Sequence, residues 1–448
     1  MRDITVKRLP RDPGPAAWNA ILPVRAPHPP LDGAITAEWL VIGAGFAGLA
    51  AARRLVQLHP ADTIVVLEAR AVAEGPAGRN SGFMIDLPHD LTSEDYGGDV
   101  SRDRKRTALN RSAIAFCAEA AREYGLTAEA FTQSGKINAA ATDKGMTHNA
   151  SYAAHLEAMG EPHEMLDATR MQALTGIDYY SGGLFTPGAA MIQPALFVRG
   201  VADALAAGNR ILLFENAPVT KLQREGTTWQ ARTPSGSVSA SRVILAVNGH
   251  AESFGFFKRR LMHVFTYASM TRALTADETR RLGGEPNWGF TPADPMGTTV
   301  RRLSGTGGDR IIIRNRFTYD PSMEVSDARI TKVGDDHDSA FQARFPMLKG
   351  VTMEYRWGGR LCLSRNDVPA FGEVDNGLYA ACCQNGLGTA KGTLAGMLAA
   401  ELASGVTSDA LNDMLCEAAP AKLPPEPLAF VGANAFMRWG EFKAGREF

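Results

Sequence analysis

The sequence lacks the features that mark several large protein classes. Its five cysteines are an odd number with no C-x-x-C pair, which argues against a disulfide framework or a zinc site and favours a reducing, cytoplasmic compartment. No run of about 18 apolar residues occurs, so no transmembrane helix is expected. The charged N-terminal residues are not followed by an apolar stretch, so no signal peptide is expected either.

An excess of charge of one sign is also missing. The 448 residues carry a formal net charge of −1, so no nucleic-acid partner is predicted. The nine histidines form no H-x-x-x-H pattern, and no metal site is predicted. With 45% hydrophobic and 21% charged residues, the composition is that of an ordinary globular protein, and the length suggests two domains.

What the sequence does have is a glycine-rich turn between an apolar run and the start of a helix. Gly43, Gly45 and Gly48 form G-x-G-x-x-G after the apolar residues 40–42. The first glycine permits a tight turn, the second leaves room for a pyrophosphate, and the third lets the helix pack on the strand. Glu68 ends the next apolar run, where a carboxylate accepts hydrogen bonds from a ribose diol. These features predict a dinucleotide site; the alternative is a glycine-rich turn in another α/β protein.

The order of elements predicts an α/β protein in which both ends of the chain reach one site. A β-α-β unit covers residues 38–70, with its helix from Gly45 to His59, and a second helix opens at Gly386–Gly388. Ligands of open parallel sheets bind beyond the carboxyl ends of the strands, so both glycine turns are expected at one cavity. The predicted division is an extended, proline-rich arm at 1–37, a nucleotide-binding domain at 38–95, 191–255 and 352–405, a second domain at 96–190 and 256–351, and a tail at 406–448 that wraps the surface.

The first motif alone does not distinguish FAD from NAD. An NAD dehydrogenase usually has a second nucleotide-binding half soon after the first, whereas this chain leaves through Arg79, Asn80 and Ser81 into a helix. The helix that opens at Gly386–Gly388 has a dipole that would stabilise negative charge on the edge of a reduced flavin. The pattern therefore favours FAD.

Several stretches resemble the D-amino-acid oxidase, glycine oxidase and sarcosine oxidase superfamily of FAD-dependent oxidoreductases. Within it, the sequence is similar to γ-glutamylputrescine oxidases and to opine and Amadori (fructosyl-amino acid) oxidases. The likeness is specific in the nucleotide-binding part and weaker at about 96–190 and 256–350. The matching stretches are residues 39–54, 78–82, 241–249, 357–372 and 385–388 with the helix that follows.

The resemblance implies both a fold and a reaction. The fold is a Rossmann-like FAD-binding domain with a second, discontinuous substrate domain built on a mixed, largely antiparallel β-sheet. In the reaction, a C–H beside an amine nitrogen gives a hydride to flavin N5, and the imine that forms is hydrolysed. The amine must react in its neutral form, which a desolvated pocket favours by lowering the pKa of the amine.

The sequence departs from the family in three places. Leu361 replaces the arginine that grips an α-amino-acid carboxylate in relatives, and Arg360 is expected on the opposite face of the strand, which argues against a simple glycine or D-amino-acid substrate. The flavin-attaching cysteine of some sarcosine oxidases would fall near Gly359, so Cys362 is interpreted as an ordinary strand residue and the FAD as non-covalent. The lysine with which those relatives activate O2 would fall near Ile312, so the electron acceptor, O2 or another, stays open.

Candidate substrate residues come from two predicted strands. His263 and Tyr267 share one face of a strand at 261–271, which suits a pocket wall; an ordinary packed sheet face is the alternative. Arg314 or Arg316 is a candidate for bidentate binding of a substrate carboxylate, with an exposed strand arginine as the alternative. The FAD contacts predicted from the motifs and the resemblance are Gly43, Gly45, Phe46, Ala47, Gly48, Glu68, Ala69, Arg70, Arg79, Asn80, Ser81, Val219, Ala246, Asn248, Gly249, Asn385, Gly386, Leu387, Gly388 and Thr389.

The sequence thus predicts an FAD-dependent oxidase or dehydrogenase that acts on a C–N bond. The expected substrate is a small molecule, a secondary amine or amino-acid-like compound such as an opine, an Amadori compound (a deglycation reaction) or a γ-glutamyl-polyamine. Two alternatives remain, a flavin hydroxy-acid dehydrogenase and a flavin-bearing subunit of a multi-subunit dehydrogenase that passes electrons to a partner.

Overall fold

The computed structural model describes residues 2–88 and 96–448 and arranges them around two large sheets. The strands are β1 (Arg2–Thr5), β2 (Gly33–Ile42), β3 (Ile64–Leu67), β4 (Phe83–Met84), β5 (Phe131–Thr132), β6 (Lys136–Ala140), β7 (Glu164–Asp167), β8 (Gly182–Thr186), β9 (Ala190–Ile192), β10 (Leu212–Phe214), β11 (Lys221–Glu225), β12 (Thr228–Arg232), β13 (Gly236–Leu245), β14 (Met262–Thr271), β15 (Trp288–Pro292), β16 (Thr299–Gly305), β17 (Gly308–Tyr319), β18 (Met353–Leu363), β19 (Ala370–Asp375) and β20 (Leu378–Cys382). The α-helices are α1 (Ala17–Ala20), α2 (Phe46–Leu58), α3 (Val100–Glu123), α4 (Asp143–Met159), α5 (Ala168–Thr175), α6 (Pro194–Ala207), α7 (Ala276–Leu282), α8 (Asp327–Arg344), α9 (Ala390–Ala403), α10 (Asp409–Cys416) and α11 (Leu428–Ala444).

The first sheet contains the parallel strands that carry the glycine turns. Strands β10, β3, β2, β13 and β20 run parallel in that order, and the antiparallel strands β12, β11, β1 and β19 extend it. Helices α2 and α9 pack on one another and on this sheet. Parallel strands need helical crossovers and are buried on both faces, which explains the wholly apolar run of β3.

The second sheet has the order β18-β14-β17-β16-β15-β6-β8-β7. Its pairs are antiparallel except for the parallel pair of β15 and β6. Helix α8 packs against β14, β17 and β18, and α11 packs against β17. This mixed architecture, with a doubly wound sheet and a largely antiparallel one, confirms the predicted fold class.

Two parts of the predicted domain division need correction, and the rest stays a prediction. Residues 353–363 were expected in the nucleotide-binding domain, but β18 pairs along the whole of β14 in the second sheet. The arm at 1–37 was expected to be extended only, but β1 joins the first sheet beside β11 and α1 buries Trp18 completely. The predicted segment 38–95 includes residues 89–95, which lie outside the described residues.

The tail at 406–448 contains helices that were not predicted from the sequence. Its prolines stop at Pro427, so the residues that follow can form the 17-residue helix α11.

Across residues 2–88 and 96–448, no helix combines the length and the apolar character needed to span a bilayer.

Candidate active site

The glycine-rich turn joins the end of β2 to the start of α2. Gly43 has a φ of +104°, and a Cβ there would lie 2.6 Å from the carbonyl oxygen of Ala246. A Cβ on Gly48 would collide with the carbonyl oxygen of Gly43. Glycine is therefore needed at both positions by the turn and by the close approach of helix to strand.

Packing within the protein does not explain why residues 45 and 388 are glycine. A Cβ on Gly45 would meet only the Cβ of Ala77, at 3.5 Å, and a Cβ on Gly388 would have no other atom within 4 Å. Both residues line one large cavity. The backbone at both turns is therefore open to a ligand, and the first N–H groups of α2 lie where a helix N-terminus binds phosphate.

Glu68 lies directly after β3 and holds the glycine-rich turn. Its carboxylate accepts hydrogen bonds from the N–H of Ala44 at 2.8 Å and from the N–H of Arg70 at 3.1 Å. Burial raises the pKa of Glu68, and the two backbone hydrogen bonds oppose that rise. The carboxylate is thus fixed at the edge of the cavity, which it lines.

The second glycine turn, between β20 and α9, reaches the same cavity from the other end of the chain. Residues 386–389 line it together with residues 43–47. Helix α9 packs so closely on α2 that a Cβ on Gly396 would collide with the carbonyl oxygen of Ala47. The hydroxyl of Thr389 donates to the carbonyl oxygen of Phe83 at 2.6 Å. The two predicted turns therefore meet at one cavity.

Most of the predicted FAD contacts line this cavity, and three do not. Those that line it are Gly43, Gly45, Phe46, Ala47, Glu68, Ala69, Arg70, Arg79, Asn80, Ser81, Val219, Ala246, Asn248, Gly386, Leu387, Gly388 and Thr389. Gly48 serves helix packing, and a Cβ on Gly249 would lie 2.8 Å from Nδ1 of His263. Asn385 accepts a hydrogen bond from the N–H of Ser364 at 2.7 Å and faces a second cavity beside Lys391.

The arm at 1–37 closes over the cavity. Residues 8–10 and Asp12 line it, and Arg79 donates to the carbonyl oxygens of Pro13 and Gly14, both at 2.9 Å. Burial lowers the pKa of Arg79. The side chain of Arg79, predicted to contact the cofactor, is therefore held by the arm.

Arg360 is also held by the arm. Its guanidinium lies 3.3 Å from the buried carboxylate of Asp12 and 2.7 Å from Nε2 of His250. Burial, followed by the charge of Arg360, lowers the pKa of His250 to about 2. Arg360 and Leu361, which pair with Phe265 and Val264, both line the cavity, so the expectation that Arg360 would face away from it is wrong. The charge of Arg360 is thus already balanced by Asp12.

The prediction that His263 and Tyr267 form a pocket wall is wrong. His263 bonds to the carboxylate of Glu252 at 2.8 Å. Tyr267 bonds to the hydroxyl of Thr318 at 2.7 Å and packs under α8. The opposite face of β14 lines the cavity, through Thr266 and Ala268. Helix α8 covers the face of β14 that carries Tyr267 and Ser269. The alternation of residues along the strand cannot show which of its two faces a helix covers.

Arg314 is the predicted substrate residue that does reach the cavity. The residue is partly exposed, but its Nε is buried and has no hydrogen-bond partner among the described residues, and its guanidinium lies 4.6 Å from the ring centre of Phe317. Burial lowers the pKa of Arg314 to about 10. A cation with a buried, free donor can bind an anion there.

Arg316, the other candidate on β17, turns away. A register shift between Thr266 and Tyr267 leaves Arg316 without a partner on β14, and its φ is +62°. Its guanidinium binds Asp336, and also Glu441 at 2.7 Å. The irregularity in the strand pairing therefore separates Arg314 from Arg316.

One buried cation escaped the sequence analysis. Lys136 donates to Oδ1 of Asn138 and, at 3.1 Å, to the hydroxyl of Thr291, which itself lines the cavity. Burial lowers the pKa of Lys136 to about 8. The available signal was a lysine at the start of a short, largely apolar segment, residues 136–140, because lysine is seldom fully buried.

A protein-family model described as "DAO: FAD dependent oxidoreductase" matches residues 38–402. The chain belongs to the DAO family of FAD-dependent oxidoreductases. FAD fits the open backbone beside Gly45 and Gly388. The predicted superfamily, the FAD cofactor and an oxidoreductase enzyme are thereby confirmed, while non-covalent attachment stays a prediction.

Two relatives and one solved structure of the DAO family illustrate the likeness. The chain is 28% identical over 367 residues to gamma-glutamylputrescine oxidoreductase of Escherichia coli (strain K12), covering 79% of this chain and 80% of that protein. It is 25% identical to the probable oxidoreductase OrdL of Haemophilus influenzae, covering 81% of each. The crystal structure of glycine oxidase from Geobacillus kaustophilus, 17% identical, matches 87% of this chain and 100% of its own with a TM-score of 0.69, which shows a shared fold.

Proposed function

We propose that the chain oxidises a C–N bond of a secondary amine or amino-acid-like compound that carries a carboxylate. Arg314 is the observation that carries this proposal, because its buried Nε lacks a partner and the residue lines the same cavity as the glycine turns. Opines, Amadori compounds and γ-glutamyl-polyamines share an oxidisable amine and a carboxylate. A bound carboxylate would give Arg314 both a counter-charge and a hydrogen-bond acceptor.

The cofactor end of the cavity supports the proposal. The backbone at Gly45 and the N-terminus of α2 would hold the FAD pyrophosphate, and Glu68 would bind the ribose. The turn at 386–389 would lie against the flavin. When bound, FAD accepts the hydride from the carbon beside the amine nitrogen.

The chain's own residues would prepare the amine and exclude water. Ala268, Ile312 and Leu361 give the substrate end an apolar wall, which lowers the pKa of a bound amine and favours its reactive neutral form. Residues 8–10 and Asp12 of the arm line the cavity and would keep bulk water from it. Hydrolysis of the imine product needs only water after release.

Anaerobic bleaching of the flavin by a substrate panel tests the proposal. The panel contains γ-glutamylputrescine, opines, fructosyl-amino acids, sarcosine, D-amino acids and hydroxy acids. We expect bleaching by at least one of the bulkier carboxylate-bearing amines. Bleaching only by small D-amino acids would show that Leu361 was misinterpreted, and bleaching only by hydroxy acids would favour a hydroxy-acid dehydrogenase.

Reoxidation then identifies the electron acceptor. If air restores the flavin spectrum and peroxide appears, the enzyme is an oxidase that works alone. A flavin that stays reduced in air would instead favour a dehydrogenase, or a subunit that passes electrons to a partner protein.

A further inference from the structure

Helix α11 exposes an unusual amount of apolar surface. Of the large hydrophobic side chains exposed among residues 2–88 and 96–448, six lie on this helix and five on all other segments. Trp439 and Phe442 are 61% and 76% exposed, with ring centres 5.8 Å apart. The six are Leu428, Phe430, Val431, Phe436, Trp439 and Phe442. Apolar patches of this kind mark interaction surfaces.

The side of α11 opposite Leu428, Val431, Phe436, Trp439 and Phe442 is attached to β17. Glu441 accepts a hydrogen bond from the N–H of Phe317 at 2.9 Å, and Asn434 accepts one from the N–H of Tyr319 at 3.0 Å. Met437 is buried on the same side. The helix therefore cannot bury its aromatic face by rolling over without losing these hydrogen bonds.

Cations flank the apolar face at both ends of the helix. Lys443 and Arg446 are exposed at its C-terminal end, whereas the neighbouring acids, Glu441 and Glu447, are buried. Before its N-terminal end lies a basic cluster made of Lys258, Arg259 and Lys422, all exposed. Arg259 is tied to this segment because it donates to the carbonyl oxygen of Leu423 at 3.2 Å. Glu426 at that end is exposed as well; its carboxylate accepts hydrogen bonds from the Tyr319 hydroxyl and the Phe430 N–H, and the three cations of the cluster outnumber it.

We propose that α11 docks the enzyme on an anionic phospholipid surface. The aromatic and aliphatic side chains would enter the boundary between headgroups and acyl chains, and the flanking cations would contact the headgroups. A second copy of the chain fits less well, because pairing two such helices in either direction brings their basic ends together.

Vesicle co-sedimentation of the full-length, FAD-loaded enzyme tests this docking. Vesicles contain phosphatidylcholine alone or mixed with phosphatidylglycerol. We expect binding to the anionic vesicles, weakening with added salt, and a blue shift of tryptophan fluorescence that is absent in Trp439→Phe. The double variant Trp439→Ser/Phe442→Ser should bind about tenfold more weakly, or about 1.4 kcal/mol, and Lys443→Glu/Arg446→Glu should also bind more weakly.

Leu415→Ser is the matched control, since Leu415 is an exposed apolar side chain on α10; its binding should equal that of the unchanged enzyme. The flavin spectrum and the melting temperature show that each variant is folded. Absence of binding to anionic vesicles, or equal binding by the double variant, would overturn the proposal. A dimer that the double variant fails to form would assign the helix face to a second copy instead.

Discussion

The two ends of the cavity differ in whether backbone or side-chain atoms line them. At the cofactor end, the surface is backbone, supplied by glycine turns such as Gly43–Gly45 and by the start of α2. At the substrate end, the surface is side chain, with Arg314, Thr266 and Ile312 on neighbouring strands. A backbone surface depends on conformation and fails only where a side chain intrudes. A side-chain surface depends on each residue, so its changes are expected to be graded.

The largest effect is expected at Gly45. Replacing Gly45 with valine would place a branched side chain where only Ala77 lies within 4 Å, in the space we assign to the pyrophosphate. We expect loss of FAD from the purified protein, measured by absorbance of the flavin. Gly208→Ala is the control, because its Cβ would approach only the flexible side chain of Arg210 closely. A normal flavin content in Gly45→Val would show that the pyrophosphate does not bind against the backbone at Gly45.

A smaller but still large effect is expected at Arg314. In Arg314→Met the value of kcat/KM for a carboxylate-bearing amine should fall about 100-fold, or roughly 2.7 kcal/mol, because a buried charge pair is lost. Arg314→Lys should retain part of the activity, since it keeps the charge without the guanidinium fork. Flavin content and the activity on an analogue without the carboxylate should not change. Equal losses for both substrates would contradict a carboxylate role.

The charge of Lys136 should strengthen the binding of a carboxylate at the end of the cavity that we assign to the substrate. Its pKa of about 8 means that it is protonated below pH 8 and loses its charge above. Binding of a simple carboxylate inhibitor without an amine should therefore weaken about 3- to 10-fold as the pH rises through 8. The dissociation constant can be followed by the flavin spectrum, and Lys136→Met should bind the inhibitor weakly at every pH. A Lys136→Met variant that keeps the pH dependence would exclude Lys136 as its source.

Acid should destabilise the region where the arm is fastened. The pKa of His250 falls from 6.5 to about 2 on folding, so between these values the unfolded state binds a proton that the native state does not. Its contribution to stability is therefore lost as the pH falls from about 6.5. His250→Gln keeps an acceptor for Arg360 and should lower the acid dependence of the melting temperature. An unchanged slope of melting temperature against pH would count against this account.

The smallest effects are expected at His263 and Tyr267. Both lie on the face of β14 that turns away from the cavity, as their contacts with Glu252 and Thr318 show. In His263→Gln and Tyr267→Phe, kcat/KM should change less than about threefold. A loss comparable with that of Arg314→Met in either variant would mean that the second face of β14 participates after all.

The cofactor end was predictable because its signals are local. Glycines, a helix start and an acid at fixed spacing identify the turn, and the helix at 45–59 was predicted to within one residue of α2. The boundaries of β14 were also predicted to within one residue, but its buried and cavity faces were exchanged. The covering helix α8 follows more than 50 residues later in the chain, and no periodicity within the strand reports its position. Helix α11 was missed because the prolines before it dominate the composition of the tail.

The arm has a consequence for the order in which the molecule is completed. Its strand β1 pairs with β11, and Asp12 contacts Arg360, so the arm is fixed only when these distant parts of the chain have folded. Because this segment also lines the cavity to which we assign the flavin, binding of the cofactor and fixing of the arm are expected to favour one another. The cover of the cavity is thus held in place by contacts between segments that are far apart in the sequence.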